Sequence, residues 1–232
     1  MNNKLCMGLS ILLILSLCAC VPSTTTKLQE FPSMYEESPL SILILPPMNE
    51  STAADAKEYY STTIQEPLAY AGYYTFPYPL TTELLKMEGI YDSELLTDIP
   101  LVKFKKYFGA DAVLFTTIKK WDLCYIVIAS NLTVSIDCVL KSTSTDQELW
   151  KYNGTIVVDL SGGNSGGGIA GLIASAIVTA VNTAIADYVP YARQANYRAI
   201  HSLPYGKYHP QHHKDQDSAF IDQTPPDQRE PK

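Results

Sequence analysis

The stretch Ser41-Ile42-Leu43-Ile44-Leu45-Pro46-Pro47 decides the fold. An apolar run of this length, closed by two prolines, predicts a short buried β-strand. A second apolar segment begins at Ala112, just after Gly109, and predicts a longer strand. We expect these two strands to be neighbours in one sheet, with Ile44 and Leu114 buried on them.

The segments around these two strands predict the rest of the fold. Apolar residues at helical spacing, bounded by Gly or Pro, predict helices over 53–71, 81–87, 100–108 and 190–202. Apolar or alternating runs predict strands over 73–76, 112–121 (continuing over 125–129 past an irregularity at Asp122), 132–140 and 148–160. The order β-α-β-α-β-β-β predicts an α/β (α+β) fold, in which helices flank a mixed β-sheet and further helices follow at the C-terminus. The crossovers fall in the first half and an antiparallel meander in the second.

The first twenty residues predict export. Lys4 provides a positive start, and the apolar run that follows is too short for an ordinary transmembrane helix. The ending Leu17-Cys18-Ala19-Cys20 is similar to the lipobox of bacterial lipoproteins, in which the cysteine is diacylated and the signal is cut just before it. We therefore predict a signal peptide over 1–19 and lipidation of Cys20. The alternative is an ordinary cleavable signal with two incidental cysteines.

Composition divides the rest of the chain. Residues 20–38 predict a lipidated tether, residues 39–208 a single α/β domain with C-terminal helices, and residues 209–232 a disordered polar tail. Val21 and Pro22 follow the cysteine without an Asp, which by resemblance to sorting in enteric bacteria favours the outer membrane. We expect a lipid-anchored protein that faces the periplasm, with exposure at the cell surface left open.

Charge and composition limit the partners. The chain carries a net charge of −7, and loss of Lys4 with the signal lowers it by one, to −8. This acidity argues against binding to nucleic acid and against electrostatic adhesion to anionic lipids. The 16 tyrosines are typical either of a protein interface or of a domain rich in strands.

Two cysteines remain in the predicted domain, Cys124 and Cys138. In an oxidising compartment they could form a disulfide that closes a short loop. If both lie on one hairpin that turns near Ser130, however, they are too far apart in register to bond. The sequence leaves open a disulfide or two buried thiols, and it has no cysteine or histidine spacing typical of structural zinc.

A Gly-rich insert over 161–168 precedes an uncharged, alanine-rich helix over 169–186. The insert lacks the residues of a phosphate-binding loop, and we interpret it as a hinge. The helix is long enough to touch the threshold for a membrane span, but its alanines and Asn182 favour burial in the core or a contact between copies of the chain.

The sequence contains no recognisable catalytic motif. The nucleophile elbow, the zinc-protease helix and the acylation motif of penicillin-binding enzymes are all absent. Asp111, Asp122 and Asp137 border strands, where Asp is common for backbone reasons. His209, His212 and His213 cluster in the predicted tail, where incidental metal binding is the most that we expect. We predict a non-enzymatic protein without a cofactor or a metal site.

Several short segments resemble a family of bacterial lipoproteins, the domain-of-unknown-function family 799. They are Ile42-Leu43-Ile44-Leu45-Pro46-Pro47-Met48-Asn49-Glu50-Ser51, Gly109-Ala110-Asp111-Ala112-Val113-Leu114, Trp121-Asp122, Glu148-Leu149-Trp150 and Leu203-Pro204-Tyr205-Gly206. The first two segments are more distantly similar to CsgG-type lipoproteins, to lipoproteins that activate penicillin-binding proteins, and to the N-terminal domain of TolB.

The resemblance implies a binding or assembly role. Members of the family are often encoded beside a CsgG-like lipoprotein, so we expect an accessory subunit of a secretion or envelope-assembly complex, with a CsgG-like partner and possible homo-oligomers. The alternative is a regulatory lipoprotein that activates a peptidoglycan synthase across the periplasm.

Overall fold

The computed structural model describes residues 25–126, 129–159 and 189–221. The predicted signal peptide, Cys20, the Gly-rich insert and the helix predicted over 169–186 lie outside these residues. The helices are α1 (Lys27–Glu30), α2 (Pro32–Glu37), α3 (Ala56–Ser61), α4 (Gln65–Tyr70), α5 (Tyr78–Met87), a 3-10 helix (Ser93–Asp98), α6 (Leu101–Phe108) and α7 (Val189–His201). The strands are β1 (Ser41–Ile44), β2 (Met48–Asn49), β3 (Tyr74–Thr75), β4 (Ala112–Ile126), β5 (Ala129–Ser142) and β6 (Glu148–Asp159).

The strands form one mixed sheet in the order β3-β1-β4-β5-β6, with the short β2 also paired to β4. β1 pairs in parallel with β3 and β4, whereas β4, β5 and β6 form an antiparallel meander. Ile44 lies opposite Leu114 in the β1–β4 register, and both side chains are buried. The predicted mixed sheet, its antiparallel meander, and the burial of Ile44 and Leu114 on neighbouring strands are confirmed.

The sheet has a core on each face. On one face, alternate residues of the meander pack against α2, α3, α4 and α7, in a cluster that includes Trp150 and Tyr60. On the other face, Leu43 and Leu45 of the first strand region pack against α5, the 3-10 helix and α6. β1 is therefore buried on both sides, as an unbroken apolar run in parallel pairing requires.

The helix predicted over 53–71 is two helices, α3 and α4. The hydroxyl groups of Thr62 and Thr63 bond back to the carbonyl groups of Tyr59 and Tyr60, which favours a turn over a continuing helix. Pro67 has no N–H to donate, and it is tolerated because α4 starts afresh two residues before it.

The meander departs from prediction at one point. The irregularity expected at Asp122 lies instead between Ile118 and Lys120, where the β4–β5 register shifts. Asp122 pairs regularly with Thr133, so β4 runs as one strand through the position where we expected a break.

The predicted tether and tail are wrong for the residues that the structure describes. Residues from Thr26 onward form α1 and α2, with Phe31 and Met34 buried in the main core, and Phe220 packs edge-on against Phe31 with ring centroids 5.2 Å apart. Apolar burial explains the difference, because few but large apolar side chains anchor these polar segments. The folded domain therefore extends well beyond residues 39–208 at both ends.

The disulfide left open by the sequence is not formed in this structure. Cys138 is a free, buried thiol. It lies opposite Thr116 in the β4–β5 register, whereas Cys124 lies opposite Asn131. These pairs are seven residues apart along β5, roughly 23 Å at ~3.3 Å per residue, far beyond the reach of a disulfide.

Candidate interaction surfaces

The three carboxylates that border strands do not form a shared site. Asp111 precedes β4, Asp137 lies opposite Thr117, and Asp122 lies further along β4, where it pairs with Lys120 at 3.3 Å. General acid–base catalysis by paired carboxylates requires both groups around one reacting atom. Asp111, Asp122 and Asp137 are not placed around one such atom.

Asp111 joins the starts of β1 and β4. Its Oδ2 accepts hydrogen bonds from the backbone N–H groups of Leu40 and Ser41 and from the Ser41 hydroxyl, and its Oδ1 accepts one from Lys105 Nζ at 2.6 Å. Burial alone would raise the pKa of this carboxyl, but the bonds from Lys105 and Ser41 outweigh burial and lower it. The Gly-Ala-Asp-Ala segment is thus explained as a structural joint.

Asp137 is placed differently. Its Oδ1 is buried without a hydrogen-bond partner, and Lys119 Nζ lies 3.8 Å from Oδ2 while bonding Glu50 at 2.9 Å. Burial raises the pKa of Asp137, which Lys119 lowers and Glu50 raises further. Burial therefore destabilises the charged form of Asp137, which lies on the face of the meander away from the main core.

The histidines of the predicted tail act as packing and hydrogen-bonding groups. His209 stacks on Tyr205 at 3.7 Å between centroids, His212 Nδ1 lies 2.8 Å from the Tyr205 carbonyl, and His213 Nε2 lies 3.1 Å from Ser38 Oγ. Over residues 25–126, 129–159 and 189–221, no group of three His, Cys, Asp or Glu residues is placed to hold a metal ion.

An open groove of about 440 Å³ lies beside these histidines, and its lining is Glu37, Ser38, Pro39, Leu40, Asp111, Ser144, Lys207 and His212. Asp111 already accepts four hydrogen bonds there, and Glu37 accepts one from the Thr145 hydroxyl. The groove contains one hydroxyl beside a possible base, because Ser38 Oγ lies 3.1 Å from His213 Nε2, but that hydroxyl also donates to the Tyr35 carbonyl at 3.0 Å. We interpret the Ser38–His213 contact as structural, since it links α2 to the C-terminal segment.

The two terminal segments hold each other in a contact that we call the terminal clasp, formed by residues 25–28 and 215–220. Lys27 and Leu28 donate backbone hydrogen bonds to the carbonyl groups of Ser218 and Gln216, and Phe220 donates one to Thr25. Thr26 caps α1 in a reciprocal capping box with Gln29. The segments before β1 and after α7 are thereby fixed to each other.

A buried ion pair lies at the centre of the clasp. Lys27 Nζ is 3.6 Å from Asp215 Oδ2 and donates to the carbonyl groups of Leu203 and His201. Burial lowers the pKa of Lys27, and the charge of Asp215 opposes that effect. A buried charge that lacks its partner is costly, so this pair makes clasp formation specific to the native arrangement.

Gly72 and Gly206 let the C-terminal segment approach the body. Gly206 donates to the Ala71 carbonyl and Tyr208 donates to the Gly72 carbonyl, so two backbones lie side by side. Gly72 also has φ +88°, and a Cβ there would overlap His209 and Gly206. The Leu-Pro-Tyr-Gly segment that carries part of the family resemblance is therefore a docking site within the fold.

An exposed apolar surface covers the layer of α5, the 3-10 helix and α6. We call it the α5–α6 surface and define it by Leu80, Leu84, Met87, Tyr91, Leu95, Val102 and Tyr107, which are 39–76% exposed. The first three are spaced i, i+4, i+7 and form one continuous stripe along α5. Its opposite side is apolar as well, since Leu85 is buried in the second core. A helix with a second apolar face turned to solvent is typical of a protein–protein contact.

Charges around this surface are divided by sign. The exposed acidic residues Glu83, Glu88, Glu94 and Asp98 lie on α5, directly after it, or on the 3-10 helix, and Lys86 pairs with Glu83 at 3.9 Å. α6 carries Lys103, Lys105 and Lys106. Lys105 is engaged with Asp111, which leaves Lys103 and Lys106 beside Val102 and Tyr107. The surface thus has one side that is acidic on balance and one side that is basic. Complementary patches of this kind set orientation and specificity in protein contacts.

No helix among the described residues has the length and hydropathy needed to cross a membrane. The sequence signals for membrane attachment, Cys20 above all, lie outside the described residues. The lipidation of Cys20 stays a prediction.

The chain belongs to the family described as "Putative lipoprotein GNA1162-like", whose model matches residues 30–206. It is 31% identical over 158 residues to "Putative lipoprotein NMB1124/NMB1162" of Neisseria meningitidis serogroup B, a match that covers 66% of this chain and 74% of the relative. No catalytic function is indicated by these names. The predicted lipoprotein family is confirmed at this level, while the label of family 799 and the similarity to CsgG and TolB stay predictions.

Solved structures agree with the fold. The crystal structure of lipoprotein GNA1162 from Neisseria meningitidis matches with a TM-score of 0.50 and 32% identity, over 63% of this chain and all of that chain. The C-terminal domain of LpoB from Escherichia coli matches with a TM-score of 0.37 and 15% identity, over 57% of this chain and 98% of that chain. The LpoB likeness is too weak to bear on function.

Proposed function

We propose that this chain is a non-enzymatic, lipid-anchored accessory subunit of a secretion or envelope-assembly complex, held at the outer membrane and facing the periplasm. Its partner in this proposal is a CsgG-like lipoprotein, and it uses no cofactor. The α5–α6 surface carries the proposal, because it is an exposed apolar stripe with divided charges on a protein whose carboxylates and histidines serve structural roles.

The number of residues between Cys20 and the terminal clasp favours this role over activation of a peptidoglycan synthase. Thr25 is already hydrogen-bonded into the terminal clasp. Five residue steps separate it from Cys20, which span at most about 18 Å when fully extended. A body held this close to its anchor suits a partner at the same membrane. Activation of a synthase across the periplasm requires a longer reach.

Recovery of partners from solubilised membranes tests the proposal. The full-length lipidated protein is compared with L84E/M87E, which places two charges in the α5 stripe. V157E is the matched control, because Val157 is a similarly exposed apolar residue, 63% accessible, on β6. We expect a CsgG-like lipoprotein to co-purify with the wild type and with V157E and to be lost with L84E/M87E.

Other outcomes separate the alternatives. Recovery of a penicillin-binding protein without a CsgG-like partner would establish the regulatory role instead. Turnover of peptidoglycan or an ester substrate, abolished by one substitution, would contradict the non-enzymatic role.

A contact between copies of this chain is a second use that the charges favour. Packing the α5 stripe of one copy against α6 of the next would bring Glu83 and Glu88 beside Lys103 and Lys106. Such a head-to-tail contact joins two different patches and leads to rings or filaments. Sedimentation of protein lacking residues 1–20 tests it. We expect oligomers that dissociate in L84E/M87E and weaken with added salt, and a wild-type monomer at all concentrations would exclude this contact.

Acylation is tested separately. Cys20→Ala removes the predicted acceptor thiol, so we expect an uncut precursor without palmitate, in place of a labelled protein in the outer-membrane fraction. Palmitate labelling that survives the substitution would contradict the lipobox, and a clean inner-membrane location would contradict the sorting predicted from Val21-Pro22.

A further inference from the structure

We propose that the end of the molecule bearing the terminal clasp lies against the lipid surface, and that the end of β4 at Ile126 and the start of β5 at Ala129 lie on the side away from the membrane. This inference rests on the lipid anchor of the proposed function. It adds to that function which surface of the body contacts lipid and which end is presented to partners.

The clasp fixes where the anchored chain enters the body. Phe220 N–H donates to the Thr25 carbonyl at 2.7 Å, and Thr26 and Ala219 form a β-bridge. Lys27, 8% exposed, is held by the carbonyl groups of Leu203 and His201. Since the chain cannot swing free beyond Thr25, the clasp stays within about 18 Å of Cys20 in every orientation of the body.

Two apolar side chains face solvent beside this entry point. Leu28 is 38% exposed on α1, and Ile221 is 73% exposed directly after Phe220. Burial of apolar surface is favourable at about 25 cal/mol per Å², so contact of these side chains with the lipid surface stabilises this orientation once the anchor supplies proximity. With a net charge of −7 for the whole chain, general electrostatic adhesion does not compete with it.

The long strands lead away from this end. The Thr145 hydroxyl, in the β5–β6 turn, donates to Glu37, and Ser33 donates to Gln147 in the same turn. The starts of β4 and β6 and the end of β5 therefore lie beside α2 and the clasp. β4 then runs 15 residues to Ile126, about 45 Å at ~3.3 Å per residue. This length places the end of β4 far beyond the roughly 18 Å that separate Cys20 from Thr25 at most.

Fluorescence quenching on vesicles tests the orientation. A fluorescent amino acid is placed at position 221 or, as the control, at position 157 of the full-length lipidated protein. Val157 is also exposed, and it lies nine residues along β6 from Glu148, about 30 Å from the clasp end. The proteins are reconstituted into vesicles of phosphatidylethanolamine and phosphatidylglycerol that contain a lipid with a nitroxide on its headgroup.

We expect quenching to be several-fold stronger at 221 than at 157. A Gly/Ser spacer of about 40 residues inserted after Pro22, with an r.m.s. length of about 35 Å, should reduce quenching at 221 towards the value at 157. L28S in the protein labelled at 221 should reduce it partly without releasing the protein from the vesicles.

The outcomes separate this inference from the proposed function. Equal quenching at both positions in an acylated, vesicle-bound protein would overturn the orientation and leave the accessory role intact. A protein that is not acylated would overturn both the anchor and the orientation. Loss of the CsgG-like partner with strong quenching at 221 would overturn the proposed function alone.

Discussion

At the scale of single residues, two aspartates on one sheet have opposite electrostatic environments. Asp111 accepts four hydrogen bonds, one from Lys105, and its pKa is lowered despite partial burial. Asp137 has a buried oxygen without a partner, and burial raises its pKa. The charged form therefore stabilises the fold at Asp111 and destabilises it at Asp137.

Asn substitution at each position tests this contrast. We expect D111N to lower the free energy of unfolding at pH 7 by about 1–3 kcal/mol, since hydrogen bonds to a charged group are lost. Because its folded pKa is lowered, the stabilisation by Asp111 is present above the unfolded pKa of about 3.9 and is lost as the pH falls through the folded pKa. Denaturant unfolding across this range should show the difference from wild type shrinking below about pH 4.

D137N is the matched control. Its folded pKa is raised, so the carboxylate costs stability once the pH exceeds the unfolded value, and the amide removes that cost. We expect D137N to be at least as stable as the wild type at pH 7. A loss as large as that of D111N would show that the pair with Lys119 outweighs burial.

Cys138 should be chemically silent in the folded protein. Burial raises the pKa of its thiol to about 11, and the side chain lies among Tyr60 and Thr116 with no exposed surface. In a C124S variant lacking residues 1–20, we expect no reaction with a thiol reagent at pH 8 until denaturant is added. Rapid labelling of the native protein would contradict the packing of β5 against α3.

At this scale the sequence predicts the burial of apolar residues in regular strands, but it does not predict the hydrogen-bond partners of isolated polar groups. Ile44 and Leu114 were predictable because an apolar run has only one environment that suits it. The partners of Asp111 were not, because Leu40, Ser41 and Lys105 reach it only after β1 and β4 have paired. Spacing along the chain contains no information on contacts of this kind.

At the scale of elements, α5 shows a second limit of sequence reasoning. Its apolar positions form two faces, one with Leu85 in the second core and one with Leu84 in solvent. Periodicity detects a helix but does not tell which apolar face the fold covers. The exposed face, which is the candidate interaction surface, became visible only when α5 was placed on the sheet.

The α2 region shows the opposite case, because the periodicity of its buried apolar residues could be recognised in the sequence. Phe31, Met34 and Tyr35 recur at spacings of three and four, which is typical of one buried helix face. The surrounding polar residues led us to predict a tether. The structure shows that three large side chains are enough to fix a short segment to the core.

Phe31→Ala tests whether this segment belongs to the fold. Phe31 is 4% exposed and contacts Phe220, so we expect a loss of about 3–5 kcal/mol in the free energy of unfolding. Leu28→Ala, in the same segment but 38% exposed, should change it by less than about 0.5 kcal/mol. Equal, negligible effects would mean that residues before 39 are a tether after all.

At the scale of the whole molecule, the terminal clasp joins the first and last segments that the structure describes. β1 lies inside the sheet between β3 and β4, and the segments before β1 and after α7 meet through Lys27 and Asp215. The clasp thus holds the segment that follows Cys20 in sequence against the body. Under the proposed acylation of Cys20, membrane attachment and the stability of the body are coupled at this contact.

Trimming the chain to the limits predicted from composition tests this view. A protein of residues 39–208 lacks Phe31, Met34 and Tyr35 on one side and Asp215 and Phe220 on the other, so both halves of the clasp and its apolar contacts are lost together. We expect it to unfold at markedly lower urea concentration than a protein of residues 25–221, with a difference of several kcal/mol, since burial of each large side chain contributes about 1.5–3 kcal/mol. The longer protein should also resist proteolysis from Thr25 onward, because its backbone is hydrogen-bonded from that residue. Equal urea midpoints for the two proteins would show that the clasp does not contribute to the stability of residues 39–208. The residues before 39 would then act as a tether of at most about 60 Å, as predicted from composition alone.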